Sequence, residues 1–190
     1  GFAGELPESL SVGDVIHLLN FGGVAGICKS ANVHEVGEAL RIRVLGGIQR
    51  NGELLNIRQA AIFNPCKDLK SNIPLIITTG TSMDSGKTTA AAEISKTLTR
   101  MGMKLAGAKL TGVGAHRDVY KMVDNGVSTA VSFTDCGLSS TANLPAEQVV
   151  SVAKGALTYL SEVAKPDAIM VEFGDGILGR YGVKDILSDP

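Results

Sequence analysis

The 190 residues are 44% hydrophobic and 19% charged, a composition that fits a globular chain and excludes a disordered one. The net charge of −1 excludes a broad basic field for nucleic acid or anionic membranes, and 4% aromatic residues argue against a stacking platform for single strands. The three cysteines are far apart, the N-terminus lacks a secretory pattern, and no apolar run reaches the roughly 18 residues of a membrane span. We therefore expect a cytoplasmic protein without a membrane span.

Residues 1–70 are predicted to form a small all-β domain, barrel-like or a folded sheet. Short apolar or alternating runs predict strands within 14–19, 23–30 and 39–48. Asn51-Gly52 predicts a hairpin, because both residues tolerate the positive φ angles of a tight turn. Residues 64–74 are polar with a proline near each end, which is typical of a linker.

Residues 71–190 are predicted to form an α/β domain. Apolar runs at 74–80, 104–110 and 166–176 predict buried strands. Apolar residues at helical spacing predict helices over 86–101 and 144–164. The alternation of strand and helix predicts a parallel sheet with right-handed crossovers and flanking helices.

A glycine-rich loop joins the first of these strands to the first helix. The order of buried strand, glycine, Gly-Lys-Thr-Thr and amphipathic helix predicts a phosphate-binding loop, although five residues separate Gly80 from Gly86 where four are usual. Lys87 would neutralise the β- and γ-phosphates, and the Thr88 hydroxyl would bind Mg²⁺. The residues predicted to bind the nucleotide are Gly80, Thr81, Ser82, Met83, Asp84, Ser85, Gly86, Lys87, Thr88 and Thr89.

The loop, as G-T-x-x-x-x-G-K-T, resembles that of dethiobiotin synthetase and its relatives in the SIMIBI class of P-loop proteins. The MinD/ParA-type ATPases of the same class carry a second lysine early in the loop, where Ser82 stands here, which argues against a dimerising ATPase that relies on that lysine. The segments "AGAKLTGVG" and "IMVEFGDG" are similar to two later synthetase motifs, so the resemblance covers 73–183. Uncharacterised two-domain P-loop proteins, which carry such a domain behind a small N-terminal one, resemble this layout as well.

The resemblance implies three catalytic residues: Lys87, Lys109 as a lysine facing substrate or phosphate, and Glu172. A leucine follows Lys109 where the family has a proline. Glu172 ends a buried apolar strand, where a carboxylate is costly unless it meets a cation or donors. The predicted metal ligands are Thr88, Glu172 and Asp118.

Two further acids, Asp124 and Asp135, are rivals of Asp118 for the metal site. His116 and Arg117 lie beside Asp118 and could meet an anionic substrate. Gly174 and Gly176 are interpreted as allowing close approach of the chain to the ligand. Any of these residues could equally belong to a turn or a solvated loop.

The resemblance implies ATP and Mg²⁺ as cofactors and a synthetase- or kinase-like enzyme that activates a small carboxylate or amine. The alternatives are a nucleotide switch or metallochaperone-type NTPase whose N-terminal β domain docks a protein, or a nucleotide-binding protein without turnover. We expect a small-molecule substrate, a homodimer, and no nucleic-acid or membrane partner. Related folds continue with β–α units for base recognition after the third strand, so we expect either a piece of a longer protein or an unusually small sheet.

Overall fold

The computed structural model describes residues 2–82 and 85–190, without the side chain of Glu35. It divides into two compact units, Gly1–Asn56 and Ile57–Pro190, whereas the sequence placed the division near residue 70. Residues 57–70 lie with the second unit because Phe63 is buried there, with its ring centroid 5.9 Å from that of Tyr159. The backbone N–H of Cys66 also donates to the Ser151 carbonyl at 2.9 Å, so the predicted linker lies along a helix.

The first unit is built on a four-stranded antiparallel sheet with the order β1-β3-β2-β4. A two-stranded hairpin follows, with Asn51 at φ 54° and Gly52 at φ 84° in its turn, as the sequence predicted. Strand β1 and helix α1 were not predicted. The elements are β1 (Phe2–Glu5), β2 (Val15–Leu18), β3 (Ala25–Ala31), α1 (Val33–Val36), β4 (Arg41–Arg43), β5 (Gln49–Arg50) and β6 (Glu53–Leu54).

The second unit is a four-stranded parallel sheet with the order β7-β10-β8-β9 and with flanking helices. The predicted fold class is confirmed: an α/β parallel sheet with helices, preceded by a separate antiparallel sheet. The elements are β7 (Leu75–Thr78), α2 (Lys87–Arg100), β8 (Leu105–Thr111), α3 (His116–Asp124), β9 (Thr129–Ser132), α4 (Ala146–Ala164), β10 (Ala168–Phe173) and α5 (Val183–Ser188), with 3₁₀ turns at Ile57–Ala60 and Phe133–Cys136.

The two long helices begin and end where the sequence indicates. Gly86 precedes α2 at φ 86°, a left-handed conformation that glycine adopts without strain, and Gly102 at φ 93° follows its last turn. Pro145 precedes α4, and Glu147 lies in its first turn, where a negative charge favours the helix dipole. The unit α3–β9 and helix α5 were not predicted, because each element is too short for its period to stand out.

The sheet of the second unit separates two apolar clusters. Helix α4 covers one face, where Leu157 and Leu160 meet Val171 and Phe173. Helices α2 and α3 lie on the other face, over Leu105 and its neighbours. Because side chains alternate along a strand, Lys109 of β8 lies on the same face as Leu105, next to α2 and α3. Among the described residues, no helix has the length and apolar character needed to cross a bilayer.

Candidate functional site

The glycine-rich loop surrounds the ammonium of Lys87. Its Nζ donates to the Ser82 carbonyl at 2.6 Å and to Ser85 Oγ at 3.3 Å, and the residue is 8% exposed. A lysine folded back into its own loop, at the first position of a helix, presents a positive charge beside the free N–H groups of that helix. Of the predicted nucleotide-binding residues, Met83 and Asp84 lie outside the described residues; the rest follow β7 and open α2.

Thr88 connects the first turn of α2 to the end of β10. Its hydroxyl donates a hydrogen bond to Glu172 Oε1. The second carboxylate oxygen, Oε2, is buried and has no hydrogen-bond partner within the part of the chain that the structure describes. Glu172 is 2% exposed, so this oxygen has little access to bulk solvent. Buried polar atoms normally have partners, and an exception points to a missing ligand or ion.

The environment of Glu172 favours a nearby cation. Burial is the largest influence and raises the pKa of its carboxyl above the ordinary value. The hydrogen bond from Thr88 lowers the pKa, and the negative charge of Asp118 raises it further. The positive charges of Lys109 and Lys87 lower it. Burial dominates because desolvation disfavours the charged form. A divalent cation at Oε2 and the Thr88 hydroxyl would relieve that cost, and these are the hard oxygen ligands that Mg²⁺ prefers. The residues present therefore fit a magnesium ion.

Lys109 and Asp118 form a buried ion pair beside this carboxylate. Lys109 Nζ contacts Asp118 Oδ2, and the two side chains are 7% and 11% exposed. Lys109 is the register partner of Glu172 on the neighbouring parallel strand, so both side chains leave the sheet at its carboxyl edge. Arg117 adds a second, longer contact to Asp118, from Nε to Oδ1 at 3.5 Å. The structure thus gathers two predicted catalytic residues and the predicted ligand Asp118 at one edge.

Of the three acids predicted as candidates for the metal site, Asp118 is the one whose charge acts on Glu172. Asp124 is exposed at the last position of α3. Asp135 accepts from the backbone N–H of Ser132 at 2.7 Å in the capping box of a 3₁₀ turn. Within the described ranges, no group of three or more His, Cys, Asp or Glu side chains is arranged to hold a metal, so Asp118 is the counter-ion of Lys109 in this conformation.

The loop after β10 contacts the phosphate loop directly, which the sequence did not reveal. The N–H of Ile177 donates to the Gly80 carbonyl at 3.0 Å. A Cβ at Gly176 would lie 2.6 Å from the carbonyl carbon of Thr81, and one at Gly174 would lie 2.5 Å from the Thr111 oxygen. The missing side chains of these two glycines therefore allow the loop after β10 to pack closely against the backbone at Thr81 and Thr111. The sequence had predicted that they allow close approach to a ligand instead.

Lys121 is a second residue that the sequence analysis missed. Its Nζ donates to Thr89 Oγ1 at 3.4 Å, from α3 to the first turn of α2. Lys121 and Arg117 are one helical turn apart on α3, so the two cations lie on the same side of that helix. This spacing would have been the sequence signal, but it has meaning only once α3 is known to be a helix.

Comparisons with known proteins add little to this geometry. No protein-family model matches the chain, and no curated protein matches it. Among solved structures it is similar to the signal recognition particle receptor FtsY from Elizabethkingia anophelis in complex with GDP, with 17% identity and a TM-score of 0.40. The similarity covers 57% of this chain, which spans only 31% of that receptor. A likeness of this extent carries no argument about what the chain binds.

Proposed function

We propose that the chain binds ATP together with Mg²⁺ and transfers or activates phosphate, as a synthetase- or kinase-like enzyme of the dethiobiotin-synthetase-like branch of P-loop proteins. One observation carries the proposal. Glu172 is a buried carboxylate, and one of its oxygens has no hydrogen-bond partner among the described residues; the other accepts a hydrogen bond from Thr88, the residue that follows the loop lysine. A cation bound there would lie beside phosphates held at the start of α2.

Each residue then has a part in binding. The loop amides and the Lys87 ammonium hold the phosphates, and Thr88 and Glu172 hold the ion. Magnesium supplies charge neutralisation of the phosphate oxygens when bound. Lys87 and Lys109 provide the positive charge that phosphoryl transfer needs in a site shielded from water. A small carboxylate or amine acceptor is the proposed substrate class, in a cytosolic homodimer.

A nucleotide switch or metallochaperone-type NTPase is the second candidate, and a specific contact favours it. The loop after β10 is hydrogen-bonded to the phosphate loop through Ile177 and Gly80. A change in phosphate occupancy could therefore move this loop and a protein docked elsewhere on the chain. Turnover that depends on a protein partner would support this candidate over the enzyme.

Phosphate release separates the two. The full chain is incubated with ATP and Mg²⁺, alone and with panels of small carboxylates and small amines, and released phosphate is measured. Stimulation by one panel supports the synthetase- or kinase-like enzyme. Slow release that no small molecule stimulates argues for the switch.

The loop lysine provides the binding test. Lys87→Ala should weaken ATP–Mg²⁺ binding by about tenfold or more, since it removes a cation from the phosphates. Lys96→Ala, at a half-buried lysine further along the same helix, is the matched control and should leave binding unchanged. Equal binding by Lys87→Ala and the parent would refute both candidate functions.

A further inference from the structure

We propose that Lys109 is an internal counter-ion that neutralises Asp118 and Glu172 in the metal-free protein and gives way when Mg²⁺ and nucleotide bind together. The inference rests on the proposed function for its magnesium ion. It gives Lys109 a role in metal binding, in addition to the predicted contact with substrate or phosphate. In this role Lys109 is a positioning residue that controls when the acids can accept a divalent ion.

The first step of the argument is burial. Lys109 and Asp118 have side chains only 7% and 11% exposed, and Glu172 is 2% exposed. Two carboxylates and one ammonium thus share a region with little water. Charges in such a region are tolerated only when they are paired, because the loss of hydration disfavours each charged form.

The second step is charge balance. Lys109 contacts Asp118 directly, and its charge also acts on Glu172, the register partner of Lys109 on the adjacent strand. The carboxylates act unfavourably on each other, since the charge of Asp118 is among those that raise the pKa of Glu172. The Lys109 ammonium therefore reduces the repulsion between the two carboxylates, as a bound metal cation would.

The third step concerns the unpartnered oxygen. Glu172 Oε2 has no donor among the described residues, so Lys109 compensates this carboxylate by charge alone and not by a hydrogen bond. A divalent ion could interact with Glu172 and Asp118 at the same time, but it would compete with the Lys109 ammonium for Asp118. The phosphates of a nucleotide offer that ammonium another anion. Binding of Mg²⁺ and nucleotide should therefore be strongly coupled, with weak binding of the metal alone.

The test measures a divalent ion without nucleotide or turnover. Mn²⁺ is titrated into the full-length protein, and free Mn²⁺ is measured by electron paramagnetic resonance, with Mg²⁺ as competitor. Lys109→Met keeps an unbranched side chain and removes the charge. The matched control is Lys154→Met, which removes another partly buried ion pair, with Asp189 at 2.5 Å, on a different face of the sheet.

The expected result is specific to Lys109. Lys109→Met should bind Mn²⁺ about tenfold or more tightly than the parent, and Mg²⁺ should displace it, because two uncompensated carboxylates then face the ion. Lys154→Met should bind Mn²⁺ like the parent. Adding Asp118→Asn to Lys109→Met should remove most of the gain.

Unchanged or weaker Mn²⁺ binding by Lys109→Met would overturn the inference. If Lys109→Met does not fold alone, refolding is repeated with MgCl₂ or with NaCl at the same ionic strength. Rescue by MgCl₂ only supports the inference, and rescue by neither overturns it. Failure of the proposed function looks different: the parent would then bind no ATP with Mg²⁺, whatever Lys109→Met does with Mn²⁺ alone.

Discussion

The Thr88 hydroxyl donates a hydrogen bond to Glu172, and this contact connects the start of α2 to the carboxyl end of β10. It gives a buried carboxylate its one hydrogen bond among the described residues. The phosphate loop and the acid that faces it are therefore positioned relative to each other before any ligand arrives. Such preorganisation reduces the cost of ordering the site when a ligand binds.

Thr88→Ala should destabilise the protein by about 1–3 kcal/mol, because it removes the hydrogen bond to Oε1 of the buried Glu172 carboxylate. Thr88→Ser keeps the hydroxyl and should recover most of that loss. Urea unfolding of the two variants and the parent measures the difference. Equal stability of Thr88→Ala and Thr88→Ser would mean that the hydrogen bond is not formed in solution.

Gly176→Ala should displace the contact between the loop after β10 and the phosphate loop. The added methyl would lie 2.6 Å from the carbonyl carbon of Thr81, so backbone must move, at a cost of about 1–3 kcal/mol. Gly46→Ala is the control, because a Cβ there meets no atom within 4 Å. Thermal unfolding and ATP titration of both variants test this, and a neutral Gly176→Ala would contradict the close approach.

Glu172 should give the metal-free protein a distinctive pH dependence. Burial raises the pKa of its carboxyl above 4.5, so the folded state holds this proton more tightly than the unfolded state. Its contribution to stability is therefore present below pH 4.5 and is lost as pH rises through the folded pKa. Glu172→Gln lacks this titration and keeps an acceptor for Thr88.

The measurement is urea unfolding in EDTA at a series of pH values. As pH rises from 4.5 through the folded pKa, the free energy of unfolding of Glu172→Gln should increase relative to that of the parent. Above the folded pKa, the difference between the two free energies should stay constant. Curves that stay parallel throughout would show that Glu172 is not buried as described.

The fold and the centre of the site were largely predictable, because both rest on local pattern. The glycines at positions 80 and 86 and the apolar spacing after them mark a strand–loop–helix unit whatever surrounds it. Glu172 could be singled out because an acid in an apolar strand needs a partner. The pairing of Lys109 with Asp118 could not be predicted, since it depends on a nine-residue helix that packs on the sheet.

The division of the chain depended on tertiary contacts as well. Residues 64–74 are polar, so they were interpreted as a linker, but the preceding Phe63 is buried against α4. Phe63 ends a four-residue apolar run, 60–63, which is too short to show a helix or strand period. Its packing assigned residues 57–70 to the second unit.

Cys136 offers a test of that packing. It lies in the 3₁₀ turn that the segment 57–63 contacts, where the backbone carbonyl of Asp135 accepts a hydrogen bond from the N–H of Ile62 at 2.9 Å. Burial raises the pKa of the Cys136 thiol above 9.0. In a variant with Cys28→Ser and Cys66→Ser, the remaining thiol should react with Ellman's reagent more slowly than glutathione near neutral pH, since the thiolate is the nucleophile. A rate equal to that of glutathione would argue against this packing.

The central claim is that a magnesium ion at Thr88 and Glu172 joins the chain to a nucleotide. Calorimetric titration of ATP into the full-length protein, in Mg²⁺ and in EDTA, tests it most directly. Binding should be at least about tenfold tighter in Mg²⁺, since the ion neutralises negative charge on the phosphates and on the buried Glu172 carboxylate. Equal affinity in the two buffers, or no binding in either, would contradict the account.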